Sequence, residues 1–244
     1  SRVGLDGVIG AGGDGDAASP VVERPETNWS KLPPRVQPLA LVINPVPMNP
    51  PAATSSALSW SSLTAHLDWN RGKRVAKEVF TGTLNYVKDM GKMCYKFVKQ
   101  ALIGAGIINA PNPESTGLVG LRPGAAKMFS EDVQKRPEIL HTMGYRRVDL
   151  AHIGDDPSTI PDGSILTYAA GCSFADATNG HAELTLSEAT YAELRAQNPR
   201  LQHIAAAPNE IRACHFSCMK RSMPFLRTYG KQGCLKMYVP VKPA

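Results

Sequence analysis

GKMCYKFVKQALIGAG, residues 91–106, decides how the rest of the chain is read. A glycine-containing turn runs into Cys94, and behind it Phe97, Val98, Ala101 and Leu102 recur at helical spacing. That spacing predicts a helix with one buried face, closed by the small, flexible GAG at 104–106. Cys94 is then the first residue of the helix, where the helix dipole and the unsatisfied N–H groups favour a thiolate. A lone cysteine is otherwise a small hydrophobe in a core. Its partners decide between the two.

The character of the chain changes on either side of this helix. Upstream, LSWSSLTAHLDWNRGKRVAKEVFTGTL, from Leu58, places Val75, Val79 and Phe80 at helical spacing, predicting one or two helices that end near Gly82. Residues 1–57 differ. They open on a Gly/Asp-rich stretch and carry nine of the chain's 20 prolines, so they read as an extended arm or linker. Within it LALVIN could add an edge strand. Downstream, AAKMFSEDVQKRPEILHTMG predicts a helix broken or kinked before Pro137. YRRVDL, SILTYAA, HAELTLS, RACHFSC and CLKMYVPV then read as short strands, with EATYAELRAQNPRL as an intervening helix. Helices followed by strands predict an α+β domain over 58–244, with N-terminal helices packed on a mainly antiparallel sheet.

The totals narrow the function classes. The formal net charge of +6 favours anionic partners, but the basic residues are scattered in small groups such as Lys220 and Arg221. No aromatic-interleaved basic stripe occurs, so nucleic acid is not the expected partner. No run of about 18 apolar residues occurs, so no transmembrane segment is expected. There is no GK[ST] phosphate loop, no HExxH and no EF-hand spacing in GDDPSTIPDG, and no cofactor is expected. GVIGAGGDG near the start lacks the strand–helix unit a dinucleotide loop needs.

Of five cysteines, Cys172, Cys214, Cys218 and Cys234 crowd the last third while Cys94 stands apart. That distribution predicts two disulfides and one free thiol, and an oxidising compartment. If Cys214 and Cys218 lie on one strand they are about 13 Å apart and cannot bond each other, so each pairs with Cys172 or Cys234. A zinc site from Cys214, His215, Cys218 and Cys234 is the rival reading. The candidate base for Cys94 is His181, which follows a glycine and opens the strand HAELTLS. From there its ring can reach a helix start and hold an imidazolium–thiolate pair. Glu183 alternates with His181 and shares its face, where it tunes the histidine or binds substrate.

GKMCYKFVKQAL, then IPDGSILTY, then NGHAEL resemble, in order and spacing over roughly residues 70–240, the NlpC-type cysteine peptidase and CHAP amidase superfamily. The resemblance implies a papain-like core and hydrolysis of amide bonds in the stem peptides of bacterial peptidoglycan. It implies Cys94 as nucleophile, His181 as base, and a polar residue on the following strand that orients the imidazole. His215 is the candidate for that third position, with His203 and Asn209 as alternatives. Tyr95 stands where an aromatic residue often follows the nucleophile, lining the cleft or packing beneath it. The oxyanion would be held by the Cys94 N–H and one further donor. A periplasmic or secreted bacterial location follows, with peptidoglycan as partner and an inhibitor or immunity protein if the enzyme is a toxin. The alternative is a non-catalytic, disulfide-stapled wall-binding or interaction module of the same fold.

Overall fold

The computed structural model describes residues 59–79, 94–111, 115, 117–198, 201, 203–215 and 217–243. The proline-rich arm with LALVIN, the Phe80–Gly82 end of the predicted helix and the glycine turn before Cys94 lie outside the described residues.

Seven α-helices and six strands form an α+β fold within them: α1 (Trp60–Leu63), α2 (Trp69–Glu78), α3 (Cys94–Gly104), α4 (Lys127–Lys135), α5 (Glu138–Met143), β1 (Tyr145–Val148), β2 (Ile165–Tyr168), β3 (His181–Leu186), α6 (Glu188–Gln197), β4 (Glu210–Cys214), β5 (Cys218–Ser222), α7 (Met223–Lys231) and β6 (Leu235–Pro240). The strands make one sheet in the order β1-β6-β2-β3-β4-β5, and every pairing is antiparallel. The last strand therefore inserts between the first two.

Side chains alternate between the two faces of a strand, and here both faces are buried. Ala182, Leu184, Leu186, Ile165, Tyr145 and Tyr238 point to one face and join the apolar sides of α2 to α6. Leu166, Tyr168, Met237, Val239, Ile211 and Ala213 point to the other and join α1, the Leu150–His152 turn and α7. α3 packs on the first face against β3 and α2, with Val98, Ala101 and Leu102 fully buried. Its end is set by Gly106, whose φ of +69° only glycine adopts cheaply. The Gly106 N–H donates to the Ile103 carbonyl and the Ile107 N–H to Leu102, which satisfies the last turn.

The cysteines pair as Cys172–Cys234 and Cys214–Cys218, leaving Cys94 free. This corrects the expectation that Cys214 and Cys218 could not bond each other. RACHFSC is not one strand: the chain reverses between Cys214 and Cys218, and the two cysteines stand directly opposite each other at the facing ends of β4 and β5, with Cα atoms 4.1 Å apart. It also removes the zinc reading of Cys214, His215, Cys218 and Cys234, because three of those four ligands are consumed by disulfides. Both bridges sit at the same end of the sheet as His181. Cys172–Cys234 ties the loop after β2 to the start of β6, and Cys214–Cys218 closes the hairpin that carries His215.

Candidate active site

His181 is the first residue of β3, directly opposite Tyr168 of β2. The glycine before it has a structural reason. A Cβ at Gly180 would lie 2.4 Å from the Tyr168 carbonyl oxygen, and φ there is +69°. Only glycine lets the chain enter the strand this close to its neighbour.

Cys94 arrives from the helical face and His181 projects from the other, meeting at the end of the sheet. His181 interacts with the Cys94 side chain and donates from Nε2 to Glu183 Oε1 at 3.1 Å. With Nε2 committed to the carboxylate, Nδ1 is the nitrogen left for the sulfur. Burial alone would lower the His181 pKa. The interaction with Cys94, the hydrogen bond with Glu183 and the electrostatic attraction of both reverse this and push it up to about 9. The ring is therefore an imidazolium at neutral pH.

Glu183 is fully buried, so its side chain tunes the histidine rather than meeting substrate. Its Oε2 accepts from Tyr168 Oη at 2.8 Å and Arg221 Nε at 3.0 Å, and its Oε1 accepts from Arg221 Nη2. Burial opposes its charge, but hydrogen bonds from His181 and Arg221 and their positive charges hold its pKa down at about 2. Arg221 is in turn covered by the Phe174 ring, 4.1 Å from its guanidinium carbon. His181, Glu183 and His215 bring ligand-type atoms within 4.8 Å of one another. The carboxylate oxygens are already taken by Arg221, Tyr168 and His181, so His181 and Glu183 read as part of a hydrogen-bonded network with His215 packed beside it.

His215 lies edge-on to His181, ring centroids 4.8 Å apart, and is 3% exposed. Burial, then the charge of His181, lowers its pKa to about 4, so it is neutral where His181 is charged. Ser217 N–H donates to its Nδ1 at 3.4 Å, which assigns the proton of the neutral ring to Nε2. No family model, curated protein or solved structure matches this chain.

Cys94, His181 and His215 line one open cleft of about 800 Å³, with the 124–126 loop on one side and Phe174, Asp176 and Asn179 on another. Tyr95 borders the cleft, but its ring is 2% exposed and packs edge-on against Phe129. His203 and Asn209 are exposed and lie elsewhere: His203 Nδ1 contacts Arg195, and the Asn209 carbonyl accepts from Met223 N–H. His66, His141 and His152 are also exposed. Arg221, Tyr168 and Phe174 complete the site and were not among the residues singled out for it. Arg221 reads in the sequence as half of a scattered basic pair. Only the β3-β4-β5 pairing carries it to Glu183.

Proposed function

We propose that the chain is a cysteine hydrolase of papain-like architecture, related to the NlpC and CHAP enzymes it resembles, that cleaves amide bonds of peptidoglycan stem peptides. The observation that supports this most is one histidine that shares an open cleft and an electrostatic contact with a free cysteine and is hydrogen-bonded to a buried carboxylate.

Each residue then has a role. The Cys94 thiolate attacks the amide carbonyl carbon, and the carbonyl π electrons move onto oxygen, where the Cys94 N–H stabilises them. As the tetrahedral species collapses, the C–N bond breaks and the amine takes the Nδ1 proton of His181. His181, now neutral, draws a proton from water as the water attacks the thioester, and the thiolate leaves. Glu183 stays ionised throughout. It holds the ring by Nε2 and stabilises its charged form, while Arg221 and Tyr168 keep the carboxylate in place. Two disulfides suit an oxidising compartment. The net charge of +6 suits an anionic wall, and a periplasmic or secreted bacterial enzyme fits both.

The test is alkylation of the native protein by iodoacetamide across pH, followed by digestion of purified sacculi. Cys94 should label rapidly below pH 7, lose that reactivity in His181→Ala, and release muropeptides only when unlabelled. A Cys94 that labels only after unfolding would leave the wall-binding module as the better account.

A further inference from the structure

We propose that the helical face of the sheet carries a second site, built by Arg147 and Lys236, that binds a phosphate group. Arg147 of β1 stands opposite Tyr238 of β6, and Lys236 lies two residues along β6, so the three side chains share that face. α4 covers it. Tyr238 Oη donates to Ser130 Oγ at 3.4 Å, and Ser130 Oγ lies 2.6 Å from Thr167 Oγ1. Two cations are thus bordered by three hydroxyls.

The charges are unbalanced. Arg147 Nε is buried and has no hydrogen-bond partner among the described residues. Neither Arg147 nor Lys236 forms an ion pair among those residues. On α4, the helix that carries Ser130, the acids Glu131 and Asp132 are held by Arg122. Burial and then the Arg147 charge hold the Lys236 ammonium below the ordinary lysine range. Other buried cations differ. Arg221 lies on Glu183, Arg212 on Glu188 and the Ile204 carbonyl, and Lys99 donates to the Ser115 carbonyl.

Two half-desolvated like charges and an orphaned N–H are unfavourable unless an anion completes them. A phosphate carries about −1.5 to −2 charges at pH 7, which matches two cations. Its tetrahedral oxygens can also take the guanidinium, the ammonium and a hydroxyl together, more than a carboxylate's two oxygens can. Both side chains are partly exposed, so the site is reachable. The proposal does not depend on the thiol reading.

Titrating the full chain with inorganic phosphate at constant ionic strength, followed by calorimetry, tests it. Saturable binding is expected, weakened on the order of tenfold in Arg147→Gln and in Lys236→Gln. Arg146→Gln should stay within twofold, because Arg146 alternates away and contacts His141 and the Tyr145 carbonyl. Circular dichroism and the Cys94 alkylation rate report whether each variant is folded. If Arg147→Gln does not fold, Lys236→Gln decides. Phosphate binding no stronger than chloride, binding unchanged in the folded variants (an adventitious ion only), or acetate binding tighter than phosphate would each overturn the proposal.

Discussion

The two faces of β3 are built from different materials. On the helical face, β3 offers Ala182, Leu184 and Leu186 to the apolar side of α3, and the contact is close packing. On the opposite face the same strand offers His181 and Glu183 to Tyr168, Arg221 and Phe174, and the contact is charge and hydrogen bonding. The first face delivers the sulfur. The second sets the proton affinity of the base. Geometry and electrostatics are therefore separable in this site, and substitutions on the two faces should fail in different ways.

The largest effect is expected where the faces meet. His181→Ala removes the proposed base and leaving-group acid, and the proposed hydrolysis should fall by roughly 10⁴-fold while the fold persists. A loss of only a few-fold in a sacculus digestion assay would disconnect the network from catalysis.

Next comes a matched pair. Arg221→Met leaves a fully buried carboxylate without its cation and should lower stability by about 3–5 kcal/mol. Leu102→Ala, on the helical face, should lower it by about 2–5 kcal/mol through a cavity. Urea unfolding would find them similar. The His181 pKa would separate them, moving in the first variant and staying put in the second. A shift of equal size in both would break the comparison.

Glu183→Gln probes the charged face more finely. The carboxylate raises the His181 pKa, so its removal should lower that pKa and slow hydrolysis by about 100-fold. In the parent protein the kcat/KM of the proposed hydrolysis should fall as pH rises through about 9, where His181 loses its proton; in the variant that limb should move to lower pH. The stability signs differ by group. The His181 contribution is complete below its ordinary pKa of 6.5 and is lost as pH rises through about 9. The Glu183 contribution is complete above its ordinary pKa of 4.5 and is lost as pH falls through about 2. The smallest effect belongs to the hairpin bridge. Replacing Cys214 and Cys218 by serine should cost about 2 kcal/mol, because the loop it closes is short, against about 4 kcal/mol for Cys172 and Cys234.

What was legible in the sequence was local. The apolar spacing of α3, the break before Pro137, the alternation of HAELTLS and the glycine ahead of His181 all act within a few residues, and each maps onto an element. The hairpin inside RACHFSC was not legible, because the sequence between Cys214 and Cys218 has no glycine, proline or asparagine to mark a reversal. Misreading it as one strand also gave the wrong disulfide partners. Arg221 was hidden for a related reason. It lies 38 residues from Glu183 and reaches it only across the β3-β4-β5 pairing. Glu183 was visible as a neighbour of His181, but its burial, which separates tuning from substrate binding, is a property of the folded sheet.

The most direct measurement is a proton NMR titration of the His181 ring, before and after Cys94 is capped with iodoacetamide. The account predicts an apparent pKa near 9 in the unmodified protein, falling once the sulfur is alkylated. A ring that titrates near 6.5, unchanged by alkylation, would contradict the thiolate–imidazolium–carboxylate arrangement.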